Sequence, residues 1–256
     1  MTTPVIDAVN FVAPPVNPTA FGLYAAVGDW QTDADGRYLH GVRIRGANYP
    51  NGQSAGVWHA GWCADPVPGE IKQGERQDIL DPFEAITVWA ADECDLTEPS
   101  RTEVLENAQQ ILRLEEQTMV EREFAERLKL DAADLGAPQT ATSLKAAVGY
   151  LEGAMALTNT IGYFHVGAQW ASQEFGLFTK NGTRWVSPLG HIWVIGGGYV
   201  EGLDDQIIAT SKPYGWRDTP TTRTAVDQYH NVFVAVAERS VTIGYEACIA
   251  AVTITP

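Results

Sequence analysis

Two histidines are the side chains of this sequence whose type and setting could support catalysis. His165 and His191 each stand in a strongly apolar stretch, YFHVG and HIWVI. A lone histidine in such a strand is more often a hydrogen-bonded core or interface residue than a catalytic base. No cysteine lies near either histidine in sequence, and no GxSxG or HExxH pattern occurs. The sequence therefore predicts no catalytic residue, and an enzyme that uses His165 or His191 is the less favoured alternative.

A glycine cluster, GGGYVEG, follows the second of these strands. Its glycines fall at 196, 197, 198 and 202, which is not the spacing of the dinucleotide-binding fingerprint. The residues after it, Leu203-Asp204-Asp205, do not open an apolar helix. We interpret the cluster as backbone turns at the end of a strand, so no cofactor is predicted.

Two acidic clusters could suggest a metal site. The first surrounds Cys94 in the sequence DECD at 92–95, and the second is Asp204 with Asp205. Neither has further ligands at metal-binding spacing, and a calcium-binding EF-hand loop would need alternating Asp and Asn residues. We interpret both as acidic loops, and no metal is predicted.

The charge balance limits the partners of the chain. Its 256 residues include 17 basic and 32 acidic side chains, which gives a formal net charge of -15. Such a surface repels phosphate, which disfavours general nucleic-acid binding through a basic face. Three distant cysteines without a CxxC pattern are typical of reduced thiols. With neither a signal peptide nor a long apolar span, we expect a soluble protein without membrane contact.

The longest helical pattern of the sequence runs from Pro99 to Leu130. Ser100 and Glu103 have the spacing of a capping box, which predicts a helix from about Arg101 to Leu128, roughly 40 Å long. Its apolar stripe is thin, and six glutamates and three arginines predict a solvated face. Two interpretations remain open: an amphipathic helix that lies on a sheet, or a strut with its second face against a neighbouring subunit. The glutamates are Glu103, Glu106, Glu115, Glu121, Glu123 and Glu126.

The region before this helix has little to bury. Residues 1–22 contain four prolines among apolar residues and almost no charge, which predicts an extended arm that its own domain or another chain must cover. Residues 21–62 alternate like strands around a TDADG turn and a Pro50-Asn51-Gly52 turn. They are rich in glycine, so we expect a flap that either leans on a partner or forms an edge sheet of its own domain.

The region after the helix predicts a mixed αβ unit. Ser143 caps a second helix whose apolar face runs from Leu144 to Met155, and the LFTK-NG-TRWV stretch is a hairpin. The sequence from Tyr199 to Thr224 contains two prolines and is predicted to be rich in loops. The chain then closes with three predicted strands, VFVAVA, SVTIGYEA and CIAAVTIT.

The element order and three phrases resemble the major capsid protein of tailed bacteriophages, whose shell fold is shared with encapsulin compartments. The phrases are FHVGAQWASQEFGLF, WVSPLGHIWVIGGGY and NVFVAVAERSVTIGYEACIAAVTIT. The resemblance implies an α+β fold in five parts. These are an N-terminal arm (1–22), an extended β-hairpin loop (23–75), a peripheral domain with a long spine helix (76–140), an axial αβ domain (141–228) and a closing β segment (229–256).

The resemblance also implies a function. It suggests a structural subunit that assembles as hexamers and pentamers into an icosahedral virion capsid in the cytoplasm of the bacterial host. The shell would enclose DNA without sequence-specific binding, and scaffolding, decoration and portal proteins would be separate chains. An encapsulin-like compartment shell and a head-decoration or tail protein are the alternatives. Candidate inter-subunit contacts lie on the arm, among the basic residues of the flap and on the glutamate-rich helix: Val5, Ile6, Phe11, Val12, Arg37, Arg43, Arg45, Glu121 and Glu126.

Overall fold

The computed structural model describes residues 11–32, 35–49, 54–65, 67–76 and 78–255. Its α-helices are α1 (Leu23–Val27), α2 (Glu98–Asp134), α3 (Leu144–Thr158) and α4 (Tyr199–Gly202). Short 3-10 turns lie at Arg37–His40, Ala168–Trp170 and Phe175–Leu177.

The described strands form two sheets. The five-stranded sheet contains β1 (Trp30–Gln31), β2 (Ile86–Asp95), β9 (Tyr214–Arg217), β10 (Thr221–Asp227) and β11 (Val232–Gly244), with β2, β9 and β10 all paired to β11. The seven-stranded sheet has the order β3-β12-β8-β4-β7-β6-β5. Its strands are β3 (Gln139–Ala141), β4 (Tyr163–Gly167), β5 (Thr179–Asn181), β6 (Arg184–Val186), β7 (Ile192–Gly196), β8 (Gln206–Thr210) and β12 (Cys248–Ile254).

Helix α2 is longer than its sequence predicts. It has 37 residues, which corresponds to about 55 Å. The predicted capping box is wrong, because the helix already begins at Glu98 and Ser100 lies in its first turn. Thr97 is the N-cap, and its backbone N–H donates to the Asp95 carboxylate at 2.8 Å. The turn at the end of β2 therefore starts the helix.

Helix α2 packs one face on β2 and β11, as both interpretations require, and contact of its other face with a neighbouring subunit remains a prediction. Its buried positions recur at Val104, Ala108, Leu112, Val120 and Phe124, with the spacing of one helical face. Five of its six predicted surface glutamates are exposed, and the exception is Glu121.

Helix α3 follows its predicted cap. The Ser143 hydroxyl accepts a hydrogen bond from the Ala146 backbone N–H at 3.2 Å, and the helix begins at Leu144. Its buried face is the predicted one and covers one side of the seven-stranded sheet, against β12. The predicted hairpin is also confirmed, with β5 and β6 joined at Gly182, whose φ of 61° favours glycine.

The strands predicted for the flap are wrong in the part of it that the structure describes. The LYAAV stretch forms helix α1, because Leu23, Ala26 and Val27 share one buried helical face. Beyond the two-residue β1 and one bridge between Val42 and Phe83, the described residues of 28–76 form no ladder. Glycine-rich chain without a buried face gives a strand nothing to pack against. The Pro50-Asn51-Gly52 turn lies outside the described residues.

The loop-rich prediction for Tyr199 to Thr224 is also wrong. This stretch holds α4, β8, β9 and most of β10, and its two prolines separate strands rather than mark one long loop. The closing segment differs as well. VFVAVA and SVTIG form one 13-residue strand, β11, in the five-stranded sheet, and the chain then crosses to the seven-stranded sheet as β12.

Candidate assembly surfaces and the spine-helix anchors

The two histidines are core residues, as predicted. His165 is fully buried on β4, with Nδ1 3.0 Å from the Tyr199 hydroxyl and Nε2 2.9 Å from the Thr210 hydroxyl. Burial lowers the pKa of His165 to about 3, which keeps the ring neutral. His191 accepts the Gly162 backbone N–H on Nδ1 at 3.0 Å, and burial lowers its pKa too. Both rings hold buried backbone or hydroxyl groups in place.

The glycine cluster lies against helix α2. A Cβ on Gly198 would stand 2.2 Å from the Thr118 carbonyl oxygen, and one on Gly202 would stand 2.6 Å from the Ala125 Cβ. The glycines at 198 and 202 therefore let the end of the seven-stranded sheet touch the backbone of the helix. The predicted strand-end turn is confirmed, and close packing is the physical reason for glycine there.

Glu121 is the centre of the first anchor on helix α2. Its Oε1 accepts the Leu23 backbone N–H at 2.9 Å and the Gln117 side-chain amide at 3.0 Å. Its Oε2 accepts the Gly198 backbone N–H at 3.0 Å. Burial raises the pKa of Glu121, although these hydrogen bonds oppose the rise. The carboxylate thus joins the root of the arm, the helix and the seven-stranded sheet.

This position corrects the sequence-based assignment of Glu121 to a solvated face open to a neighbouring subunit. The side chain is 0% exposed within its own subunit, where backbone donors replace water. Glu126 lies on the outer face of the helix and is exposed, with Lys129 Nζ at 3.8 Å. Its assignment as an inter-subunit contact remains a prediction.

A second anchor joins helix α2 to β11. The Glu116 carboxylate accepts two hydrogen bonds from Arg239, at 3.0 and 3.1 Å, and one from the Tyr24 hydroxyl at 2.7 Å. The pair is almost fully buried, so the charges compensate each other away from water. Burial and the neighbouring Glu116 raise the pKa of Tyr24 far above its usual range.

The third anchor fixes the segment that leads into β2. Arg127 pairs with Asp131 at 2.8 Å and donates to the backbone carbonyls of Asp81 and Pro82 at 2.8 and 2.9 Å. Asp131 also accepts the Tyr245 hydroxyl at 2.6 Å. The Arg127–Asp131 pair therefore joins this segment, helix α2 and the closing segment.

Sequence reasoning missed both buried glutamates. For Glu116 a signal exists, because it continues the four-residue spacing of Ala108 and Leu112 along the apolar stripe. Glu121 directly follows the buried Val120, but adjacency on a helix does not specify burial. Two of its three donors, the backbone N–H groups of Leu23 and Gly198, come from segments far away in sequence, so no local pattern reveals its burial.

The arm lies along helix α2 of its own subunit near residues 16–21 and is exposed nearer its N-terminus. Gln110 and Gln117 donate to the backbone carbonyls of Val16 and Phe21 at 2.8 and 2.9 Å, and Arg113 donates to Asn17. Farther out, Phe11 is 83% and Val12 is 90% exposed. Val5 and Ile6 lie outside the described residues. The described arm is therefore attached only near its root.

The flap also presents apolar side chains to solvent. Trp62 is 97% and Ile71 is 69% exposed, and Lys72 Nζ lies 4.9 Å above the Trp58 ring. The three arginines predicted as contacts, Arg37, Arg43 and Arg45, are all exposed near its start. The structure places them on the surface, and their role as contacts remains a prediction.

The acidic clusters do not converge into a metal site. Asp92, Glu93 and Asp95 lie on β2 rather than in the predicted loop. In the described part of the chain, no group of three or more His, Cys, Asp or Glu side chains could hold a metal ion. The described helices also include none with the length and apolarity needed to cross a membrane.

The architecture can be compared with known proteins. No protein-family model matches the chain, and no curated protein matches it. Among solved structures, the chain is similar to one from Mycobacterium phage Adephagia. The match covers 98% of this chain and 95% of the phage chain, with 12% sequence identity and a TM-score of 0.54. The capsid of Ralstonia phage GP4 matches over 99% and 96%, with 9% identity and a TM-score of 0.52.

A third match is the mature capsid of bacteriophage PhiM1, which covers all of this chain and 92% of its own, with 10% identity and a TM-score of 0.51. At these identities the likeness shows the fold. The chain has the α+β shell fold of tailed-phage major capsid proteins, and α2 occupies the place of the long spine helix.

Proposed function

We propose that the chain is a structural subunit that self-assembles into an icosahedral capsid enclosing phage DNA. The fold supports the proposal, because the path of the chain matches phage capsid subunits over almost its whole length. The anchors on helix α2 also support it, because their buried groups join elements of one subunit, and both histidines are buried.

One observation carries the proposal: large apolar side chains stand in solvent on segments that have no core of their own. They are Phe11 and Val12 on the arm and Val57, Trp62 and Ile71 on the flap, each at least 69% exposed. Burying such a side chain contributes about 1.5–3 kcal/mol, so a single exposed one is ordinary but a series along two extended segments indicates partner surfaces. Neighbouring copies in a shell would cover them.

The finer features of the proposal follow from the same assembly. Copies of the chain form hexamers and pentamers, and scaffolding, decoration and portal proteins are separate partners. The division into arm (1–22), extended loop (23–75), peripheral domain (76–140), axial domain (141–228) and closing segment (229–256) belongs to this proposal. A net charge of -15 suits a wall that encloses DNA without gripping it. The particle would be a virion assembled in the bacterial cytoplasm.

The test is whether the purified chain closes into particles and whether the arm is needed. The full chain should elute as large assemblies and show closed particles or capsomer rings by negative-stain electron microscopy. Deleting residues 1–20 should leave the circular dichroism spectrum of a folded chain but abolish closed particles. Phe11→Ser with Val12→Ser in the full-length arm should weaken assembly in the same direction.

Two results would contradict the proposal. A compact monomer or dimer under all assembly conditions would favour an enzyme or an adaptor protein instead. Normal particles from both arm variants would show that the arm is not an inter-subunit element.

A further inference from the structure

A cavity of about 670 Å³ lies between the root of the arm, helix α2 and one face of the five-stranded sheet. Pro18, Thr19 and Ala20 of the arm form one wall. Gln109, Arg113, Glu116 and other residues at helical spacing form the second wall, and the sheet forms the third.

The sheet places two arginines side by side in this cavity. Arg217 on β9 stands opposite Val241 on β11, and Arg239 lies two residues before Val241 on the same strand. Residues that face each other on two paired strands lie on the same face of the sheet, and so do alternate residues along one strand. The two arginines are therefore diagonal neighbours on one face of the sheet, with Cβ atoms roughly 7–8 Å apart. Arg113 adds a third guanidinium from helix α2.

The positive charge in the cavity exceeds the negative charge. Among the described residues that line it, Glu116 is the one carboxylate, and Arg239 and Tyr24 already occupy it. The Arg217 side chain makes no hydrogen bond or ion pair among the described residues, and its guanidinium instead stacks 4.2 Å from the Trp30 ring centroid and 5.3 Å from that of Tyr24.

The other two arginines also have unused hydrogen-bonding capacity. Arg113 donates only to the neutral amides of Gln110 and Asn17. The Nε of Arg239 is buried without a hydrogen-bond partner. A buried donor without an acceptor is unfavourable, so the cavity favours a ligand that brings acceptors.

The charges around Arg217 also favour binding of an anion. Burial and the like charge of Arg239 lower the pKa of Arg217, although Glu116 opposes this. A bound anion would relieve the repulsion between the two arginines.

We propose that this cavity binds a small tetrahedral oxyanion of the phosphate or sulfate class. Guanidinium groups present planar pairs of N–H donors, which match such oxyanions better than a spherical chloride ion. The Thr222 hydroxyl and the Gln109 amide also line the cavity and can donate. Because arm residues form one wall, the oxyanion also holds the root of the arm against helix α2.

The site is tested on the unassembled chain, so the result does not depend on whether the chain forms a shell. Inorganic phosphate is titrated into the full chain by isothermal calorimetry at constant ionic strength, with chloride as the reference ion. We expect saturable binding with a dissociation constant of about 1 mM or tighter. Phosphate should also raise the thermal unfolding midpoint above that in chloride.

Three variants test the position of the site. Arg217→Gln should weaken phosphate binding by at least about 10-fold, and Arg113→Gln, on the exposed side of the helix, should weaken it severalfold. Arg223→Gln is the matched control. Arg223 lies on the same sheet, opposite Val236 and so on the other face, and it already pairs with Glu238 at 2.9 Å.

The binding measurements on the wild-type chain and the three variants decide whether the site exists. Saturable binding that weakens in Arg217→Gln and Arg113→Gln but not in Arg223→Gln supports the site. No saturable binding by the wild-type chain, or equal weakening in all three variants, overturns it. If circular dichroism shows that Arg217→Gln does not fold, the comparison of Arg113→Gln with Arg223→Gln decides.

Discussion

The region around helix α2 differs from the two extended segments, the arm and the flap, in how far its side chains are buried. Around the helix, even charged groups are buried and each has a partner, as Glu121 and Asp131 show. On the arm and the flap, even Trp62 and Val12 are exposed. The first region is completed within one subunit, whereas the second leaves large apolar side chains in solvent. The comparison predicts that changes in the two regions act on different measurements, folding in one and association in the other.

The largest contrast in stability should come from two aromatic residues. Phe124 is buried on helix α2, with its ring centroid 5.8 Å from that of Tyr245 in an edge-to-face contact. Phe124→Ala should lower the free energy of unfolding by about 3–5 kcal/mol. Trp62→Ala, in the flap, should leave the unfolding of the isolated chain unchanged. Urea denaturation of both variants measures this, and similar losses would remove the distinction between the regions.

The next effect concerns two glutamates on the same helix. Glu121→Ala leaves the donors of Leu23, Gly198 and Gln117 without an acceptor and should cost about 3 kcal/mol. Glu126→Ala, on the exposed face, should leave stability unchanged. A loss in Glu126→Ala comparable to that in Glu121→Ala, again by urea denaturation, would show that the anchor is not specific.

A smaller effect is expected from two glycines. A methyl group on Gly198 meets the backbone of helix α2, so Gly198→Ala should cost about 1–3 kcal/mol through overpacking. Gly153 lies in α3 with no atom within 4 Å of an added Cβ. Gly153→Ala should therefore stabilise the chain by up to about 1 kcal/mol. Thermal unfolding measures both variants, and we expect the midpoint to fall in Gly198→Ala and to rise in Gly153→Ala. Equal shifts in the two variants would contradict the close contact at Gly198.

The smallest effect is a dependence on pH. Because burial raises the pKa of Glu121 in the folded chain above its usual 4.5, folding takes up a proton between the two pKa values. The stability that this carboxyl contributes is full below pH 4.5 and declines as the pH rises through the folded pKa. Relative to Glu121→Gln, the wild-type chain should therefore lose stability over that rise. A difference that does not vary with pH would show that the pKa is not raised.

Local patterns predicted the elements whose signals lie within a few residues. Ser143 caps α3, the Asn-Gly hairpin forms, and the apolar setting of His165 and His191 correctly indicated core residues. The order of elements together with three sequence phrases indicated the shell fold. Each of these signals is contained in one helix, turn or strand, so it does not depend on the rest of the chain.

The predictions that were wrong depend on distant partners. The flap alternates like a strand, but a strand needs a partner ladder, and the described flap has almost none. The capping box is different, because the residues that start the helix earlier, Asp95 and Thr97, lie only a few positions before Ser100. Glu121 resembles its exposed neighbours because the backbone N–H groups that it accepts lie 98 and 77 residues away.

The placement of β11 and β12 has a consequence for synthesis on the ribosome. β11 pairs with strands that begin at Ile86, and β12 lies between β3 and β8, so each sheet receives an inner strand from residues 232–254. Until those residues leave the ribosome, β2 and β8 have incomplete ladders and helix α2 lacks much of the surface on which it packs. Pairings of such long sequence separation form late and slowly. The two sheets therefore stay incomplete until residues 232–254 have been synthesised.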